Sequence, residues 1–159
     1  MPELGSTGMR RRGFTLIELS IGLAILGILA TIGATRYDAF IDRVRIAEAV
    51  VDIRGLQNEV MAYEAANGEA PDTLAQGQID PLEDPWGRPY QYLKIVGPGP
   101  GSTLGKARKD RFLVPINSRF DLYSMGEDGQ SKPPLNAKAS RDDVIRANDG
   151  SYLGLAERY

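Results

Sequence analysis

The sequence predicts an α+β fold in which one long N-terminal helix packs on a small antiparallel sheet. Three observations predict it. Residues 14–35 are almost entirely apolar, residues 36–68 carry apolar side chains at helical spacing, and residues 69–159 contain short apolar runs bounded by glycine and proline. A long helical pattern that precedes a group of short strands is typical of an α+β domain. We therefore expect a helix with a membrane half and an amphipathic half, followed by a globular region with long C-terminal loops.

The composition of the chain argues against a catalyst. The 159 residues include no cysteine and no histidine, and the formal net charge is −2. Disulfides, thiolate metal sites and imidazole acid–base chemistry are therefore excluded. We find no nucleophile–base pattern and no phosphate-binding glycine loop. Because nucleic-acid affinity rests on a basic face, we also expect no nucleic-acid partner.

The apolar run from Phe14 to Thr35 is long enough to cross a membrane. It carries a single charge, Glu18, and three arginines at positions 10–12 precede it. About 20 apolar residues span the hydrocarbon layer as a helix. Positively charged flanks remain in the cytoplasm, so the sequence predicts a single-pass protein with a cytoplasmic N-terminus and an external C-terminal domain.

Two simpler interpretations of this run are a cleaved secretory signal and a plain membrane anchor. A signal has an apolar core of roughly 7 to 15 residues, shorter than the run from Phe14 to Thr35. A plain anchor leaves Glu18 unexplained, because a carboxylate in hydrocarbon costs about 2.5–3.5 kcal/mol and is normally retained only with a partner. Glu18 therefore indicates a partner of opposite charge.

The stretch RGFTLIELSIGLAILGILATIG resembles the processing signal of type IV pilins and type II secretion pseudopilins. The resemblance implies that residues 1–13 are a leader, which a prepilin peptidase removes by cutting between Gly13 and Phe14. The same enzyme would methylate the new amine of Phe14. Residues 14–35 would remain attached as the membrane helix and filament core, through which the subunits polymerise into a helical filament.

The resemblance also implies a role for Glu18, which would become the fifth residue of the mature chain. Its carboxylate would pair with the amine of Phe14 on a neighbouring subunit, so that two charges that are costly in lipid neutralise each other. The chain departs from the family at Thr35, where the family usually has proline, which puts the helix kink expected there in question.

Residues 36–68 predict an amphipathic helix that continues from the apolar run. Apolar side chains recur at steps of three and four and form one stripe. The stripe consists of Ile46, Val50, Ile53, Leu56, Val60 and Tyr63. The charged residues Arg43, Arg54, Glu59 and Glu64 fall outside the stripe and are expected to face solvent. Asn67 and Gly68 supply a stop signal, so we expect the helix to end near Ala66.

Beyond Gly68, three runs are strand candidates: residues 89–96, 111–117 and 119–126. Pro115 makes the second of them an edge or irregular strand. The loop that precedes it carries a basic cluster. This cluster consists of Lys106, Arg108, Lys109 and Arg111. A solvated hairpin tip is the simpler interpretation of the cluster, and an acidic partner is the alternative.

Two further stretches narrow the resemblance to the major, G-type pseudopilin of type II secretion systems. These signature segments are DPWGRPYQYL, residues 84–93, and FDLYSMGEDGQ, residues 120–130. Taken alone, the first is a turn in which Pro85 and Gly87 fix the backbone while Trp86 covers the core. The resemblance implies a non-enzymatic subunit of a periplasmic pseudopilus. Its partners would be minor pseudopilins and an assembly platform in the bacterial inner membrane.

Two other functions remain open at this point. A true type IV pilin would form an extracellular filament for adhesion, motility or DNA uptake. A monomeric binding module anchored in the periplasm would need no partner for Glu18. The chain has no cysteine pair near its C-terminus and carries both signature segments, which favours the pseudopilin.

The second signature segment also resembles a calcium site. Calcium takes six to eight oxygen ligands, which a loop can supply from carboxylates and backbone carbonyls. The resemblance implies Asp128, Asp142 and Asp143 as ligands, together with the carbonyl of Met125. The alternative is that Ser140 caps a short helix and that Asp142 and Asp143 lie at its positive end.

Overall fold

The computed structural model describes residues 13–159, and within them the chain forms a long helix followed by a sheet. Helix α1 is Leu16–Asn67. The described strands are β1 (Gln91–Lys94), β2 (Phe120–Ser124), β3 (Val144–Ala147) and β4 (Tyr152–Leu155). They are ordered β1-β2-β3-β4, and each neighbouring pair is antiparallel. The predicted α+β architecture is confirmed. The predicted leader, residues 1–13, lies outside the described residues except for Gly13.

The chain divides into two compact units, one ending at Ile41 and the other Asp42–Tyr159. The described part of the first unit is residues 13–41, and its large apolar side chains from Phe14 to Ile32 are more than half exposed. By length and composition, α1 can cross a membrane. The backbone is helical through position 35, where the family usually has proline.

The second unit has its main core between α1 and one face of the sheet. Ile53, Leu56 and Val60 are buried, and Ile46 and Val50 pack against the same cluster, which confirms the predicted stripe from Ile46 to Val60. Tyr63, its last predicted member, is half-buried and lies outside this cluster. The sheet contributes apolar side chains from β2 and β3 to this core. These are Phe120, Leu122 and Val144. Because alternate residues of a strand point to opposite faces, these three positions define the face that α1 covers.

The charged side of α1 differs from the prediction at one residue. Arg43, Arg54 and Glu59 are exposed as expected, but Glu64 is half-buried. Its Oε2 accepts a hydrogen bond from Nη1 of Arg119 at 2.6 Å. The prediction placed Glu64 in solvent because the periodicity of a helix does not reveal a distant partner such as Arg119, which lies directly before β2.

The end of α1 matches its sequence signals closely. The helix ends at Asn67, and Gly68 follows with a φ of +87°. The Gly68 N–H donates to the carbonyl of Glu64 at 2.7 Å. A glycine in the left-handed region is the usual residue immediately after a helix.

A second core covers the opposite face of the sheet. Tyr123 of β2 pairs in register with Ile145 of β3, and Ile145 and Ala147 are fully buried. The C-terminal loops supply the residues that pack on them. These are Ile116, Leu135 and Ala156. The sheet therefore lies between α1 and the loops that the sequence could not place.

Two of the three predicted strands are confirmed, as β1 and β2, and the third is wrong. Residues 111–117 form no strand, because the Asp110 N–H donates to the carbonyl of Leu113 at 2.9 Å and closes a tight turn. This turn leaves Phe112 and Val114 exposed, and Ile116 alone of the predicted strand's large aliphatic residues is buried in the second core. Strands β3 and β4 were not predicted.

Candidate functional site

The predicted assembly residue Glu18 belongs to a capping box at the start of α1. Thr15 is the residue before the helix, and both its N–H and its hydroxyl donate to Oε2 of Glu18, at 2.9 and 2.8 Å. The Glu18 N–H donates to Oγ1 of Thr15 at 3.2 Å. This reciprocal arrangement satisfies backbone donors that the first turn of a helix leaves unpaired.

The capping box gives Glu18 a role within its own chain that the sequence analysis missed. The signal was present, because the spacing from Thr15 to Glu18 is the threonine-x-x-glutamate pattern that precedes a helical apolar run. The box holds the carboxylate at the positive end of the helix dipole. Phe14, directly before it, is 88% exposed. Both predicted assembly residues therefore lie together at the tip of α1, and pairing between copies stays a prediction.

The first signature segment is a turn organised by the buried carboxylate of Asp84. Oδ1 of Asp84 accepts the N–H groups of Trp86 at 3.1 Å and of Arg88 at 2.9 Å. Oδ2 accepts the hydroxyl of Ser124, at the end of β2, at 2.6 Å. Trp86 packs against the main core, so the structural interpretation of this turn is confirmed.

The second signature segment is held by the first. The guanidinium of Arg88 donates to the carbonyls of Gly126 and Glu127, the latter at 2.9 Å. Oγ of Ser124 accepts the Gly126 N–H at 3.0 Å. A Cβ on Gly129 would lie 2.6 Å from Nε of Arg88. The two signature segments thus form one hydrogen-bonded unit, and a larger residue at Gly129 would have to displace the Arg88 side chain from it.

The predicted calcium ligands form two separate sets of contacts. Oδ2 of Asp142 accepts the N–H of Asp128 at 2.9 Å, and Oδ1 of Asp128 accepts the N–H of Gln130 at 2.7 Å. Asp143 is fully buried, forms an ion pair with Arg108 and accepts the hydroxyl of Ser131 at 2.6 Å. Burial raises the pKa of Asp143, and the charge of Arg108 opposes that rise.

This arrangement does not fit the ligand set that the resemblance implies. Among residues 13–159, the structure brings together no group of three acidic, histidine or cysteine side chains that could hold a metal ion. Met125 follows β2 directly. Oδ2 of Asp143 contacts the guanidinium of Arg108, whereas Oδ1 is buried and has no hydrogen-bond partner. Calcium binding stays a prediction.

Two other expectations about these loops are wrong. Ser140 does not cap a helix, because it is the last residue of the 3₁₀ turn Lys138–Ser140 and its hydroxyl contacts the N–H and carbonyl of Lys132, both at 2.8 Å. Arg108 does not lie at a solvated hairpin tip, because it is 2% exposed. Arg111, a member of the same basic cluster, is exposed as expected.

Comparisons with known proteins find a family motif at the N-terminus and relatives that belong to two different systems. The family model "Prokaryotic N-terminal methylation motif" matches residues 8–34. The chain is 34% identical to the type IV major pilin protein PilE1 of Neisseria gonorrhoeae, covering 90% of this chain and 88% of the relative. It is 30% identical to the type II secretion system core protein G of Pseudomonas aeruginosa, covering 77% and 89%. No solved structure gives a significant match.

These relatives show a shared family but not a shared system. Each match covers nearly nine tenths of the relative at 30% identity or more, and one relative is a pilin whereas the other is a secretion protein. The methylation motif and the apolar helix are typical of inner-membrane prepilins that assemble into pili. Pilins are structural subunits and not enzymes. The chain therefore belongs to the type IV pilin and pseudopilin family.

Proposed function

We propose that this chain is the major pseudopilin of a type II secretion system. Family membership implies processing by a prepilin peptidase and polymerisation. In the proposed function, the mature chain starts at Phe14, is anchored in the bacterial inner membrane and adds to a helical filament in the periplasm. Minor pseudopilins and an inner-membrane assembly platform are its partners, and growth of the filament drives folded proteins across the outer membrane.

The observation that carries this proposal is the hydrogen-bonded unit formed by the two signature segments. The bonds from Ser124 to Asp84 and from Arg88 to the carbonyls of Gly126 and Glu127 join the two stretches that resemble the G-type pseudopilins. The similarity to core protein G of P. aeruginosa and the lack of cysteines support the same conclusion.

A type IV pilin that forms an extracellular filament is the second candidate. The identity of 34% with the gonococcal major pilin favours it. The two candidates predict different locations for the filament. Shearing the cells should release a type IV pilus into the medium, whereas a pseudopilus remains with the cell envelope, so detection of the chain in the two fractions distinguishes them.

In both candidates, the charge of Glu18 acts between subunits. A carboxylate placed in hydrocarbon costs about 2.5–3.5 kcal/mol, and the amine of Phe14 on a neighbouring copy would offset that cost. The capping box also gives Glu18 a role within one chain, because its carboxylate accepts the N–H and the hydroxyl of Thr15 at the start of α1. A test of assembly must therefore separate the charge of the side chain from its capping hydrogen bonds.

The variants Glu18→Gln and Thr15→Ala separate these two roles. Glutamine can still fill a capping box, so Glu18→Gln removes the charge but keeps the cap. Thr15→Ala removes the cap, at about 1 kcal/mol, but keeps the charge. We expect Glu18→Gln to enter the membrane and fail to form filaments, and Thr15→Ala to form them, as scored by electron microscopy.

Normal filaments from Glu18→Gln would contradict the role of the charge. A monomeric anchored binding module instead predicts no filaments from any variant, the unmodified chain included, because its function needs no pairing between copies. Failure of both variants would assign Glu18 to the cap instead. Immunoblots of the membrane fraction control for the amount of inserted protein.

A further inference from the structure

Arg108 is a buried cation that lies where the resemblance placed a metal site. Its guanidinium donates to Oδ2 of Asp143 and to the hydroxyl of Ser131. The Nη1 that donates to Ser131 also donates to the carbonyl of Lys132, at 2.8 Å. The side chains of Arg108 and Asp143 are 3% and 0% exposed, so both charges are removed from water.

Further contacts fix the position of Arg108. Its backbone N–H donates to Oδ2 of Asp121 at 2.6 Å, and Asn117 donates to the other oxygen of that carboxylate at 2.8 Å. Its guanidinium carbon lies 4.3 Å from the ring centroid of Tyr123, within the range of a cation–π contact. Backbone and side chain of Arg108 are therefore both anchored to β2.

These contacts join three stretches of the chain that are distant in sequence. We call them the Arg108 clamp: Arg108 itself, the loop residues Ser131 and Lys132, and Asp143 directly before β3. A calcium ion bound by several loop oxygens joins chain segments in the same manner. A guanidinium can do so because its donors are arranged in a fixed plane and it remains charged at any ordinary pH.

We propose that the Arg108 clamp replaces a metal ion, so that the protein folds and stays stable without calcium. The charge of Asp143 is already neutralised by Arg108, because Oδ2 accepts bonds from Arg108 and Ser131. Its Oδ1 is buried without a hydrogen-bond partner, but a metal ion bound there would place a second positive charge beside the guanidinium, and like charges repel. Asp128 and Asp142 then act as acceptors for the backbone of the second signature segment. This inference does not depend on whether the filament is periplasmic or extracellular.

Thermal unfolding of the full-length chain in detergent micelles tests the proposal. The melting temperature is measured by circular dichroism in excess EDTA and in excess calcium chloride. We expect the two values to agree within about 1 °C, because ligand-linked stabilisation requires a site that binds the folded state. A rise of several degrees in calcium that is lost in Asp128→Asn would overturn the proposal.

Substitutions then test the clamp itself. Arg108→Met leaves the charge of Asp143 buried without a counter-charge, and we expect the melting temperature to fall by about 6 °C or more. The matched control Arg111→Met removes an exposed arginine of the same loop and should change it by less than about 2 °C. In the double variant Arg108→Met with Asp143→Leu, no buried charge is left unpaired, so much of the loss should be recovered.

Two outcomes of these substitutions would contradict the clamp. One is a loss for Arg108→Met no larger than that for Arg111→Met. The other is a double variant less stable than Arg108→Met alone. If Arg108→Met fails to fold, the double variant and the calcium measurement on the unmodified chain still decide between clamp and metal.

Discussion

Replacing Gly126 with alanine should destabilise the protein more than the same change at an open glycine. Gly126 has a φ of +63°, and a Cβ there would lie 2.3 Å from the carbonyl oxygen and 2.6 Å from the carbonyl carbon of Asp142. The conformation costs alanine about 1 kcal/mol. The overlap is with backbone, so no side-chain rotation relieves it, and such overpacking typically costs about 1–3 kcal/mol more. We expect Gly126→Ala to lower the free energy of unfolding by about 2–4 kcal/mol.

Gly68 provides the matched control for this prediction. Its φ is +87°, and apart from Gly68 and its two chain neighbours, no described residue comes within 4 Å of the position that a Cβ would occupy. Gly68→Ala therefore carries the conformational cost alone, about 1 kcal/mol. The difference between the two variants isolates the close approach of Gly126 to Asp142.

The assay is chemical denaturation in detergent micelles, monitored by the fluorescence of Trp86. This residue is the single tryptophan of the sequence, and it packs against the main core beside the first signature segment. We expect Gly126→Ala to lose at least about 1 kcal/mol more than Gly68→Ala. Equal losses would refute the claim that the second signature segment lies against Asp142 without room for a methyl group.

Two further predictions concern the core and the response to acid. Ile53→Ala should cost about 2–5 kcal/mol in the same assay, because Ile53 is fully buried, whereas Val51→Ala on the exposed side of α1 should change stability by less than about 0.5 kcal/mol. Asp149 has a pKa below its ordinary value of 3.8: burial acts against this shift, but hydrogen bonds from the hydroxyl and N–H of Ser118 outweigh it. The stabilisation by the Asp149 carboxylate is present above pH 3.8 and is lost as the pH falls through the lowered pKa. Asp149→Asn should therefore be less stable than the unmodified chain at pH 7 and approach its stability near pH 2. A constant difference in stability from pH 7 to pH 2 would contradict the lowered pKa of Asp149.

The long helix and the first two strands could be predicted because their signals are local. The stripe that includes Ile53 and Val60 repeats at helical spacing, and the runs that form β1 and β2 are rich in aromatic and branched residues and bounded by turn signals. Gly68 marked the helix end for the same reason. Each of these signals depends on neighbours within a few positions of the chain.

Strands β3 and β4 could not be predicted because their stability depends on distant partners. Arg146 lies within β3 and is 1% exposed. Its Nε donates to Gln57 of α1 at 2.7 Å, its Nη1 donates to the carbonyl of Phe120 at 3.0 Å, and its guanidinium lies over the Phe120 ring at 4.0 Å. A charged residue in a four-residue run gives no strand pattern until those partners are known.

The candidate site was predicted in part for the same physical reason. Gly13, Phe14 and Glu18 could be proposed from the sequence because the processing motif is continuous, and a family model matches the segment that contains them. Arg108 was assigned to a solvated loop because its partner Asp143 is far along the chain. A pattern of carboxylates alone does not reveal which cation neutralises them.

The central claim is that this chain is a processed filament subunit whose mature N-terminus is Phe14. Mass spectrometry of the chain purified from membranes of the source bacterium tests this claim most directly. We expect an N-terminal peptide that begins at Phe14 and carries one methyl group on its amine. Recovery of intact Met1, or of a terminus near Thr35 as after removal of a secretory signal, would contradict the account.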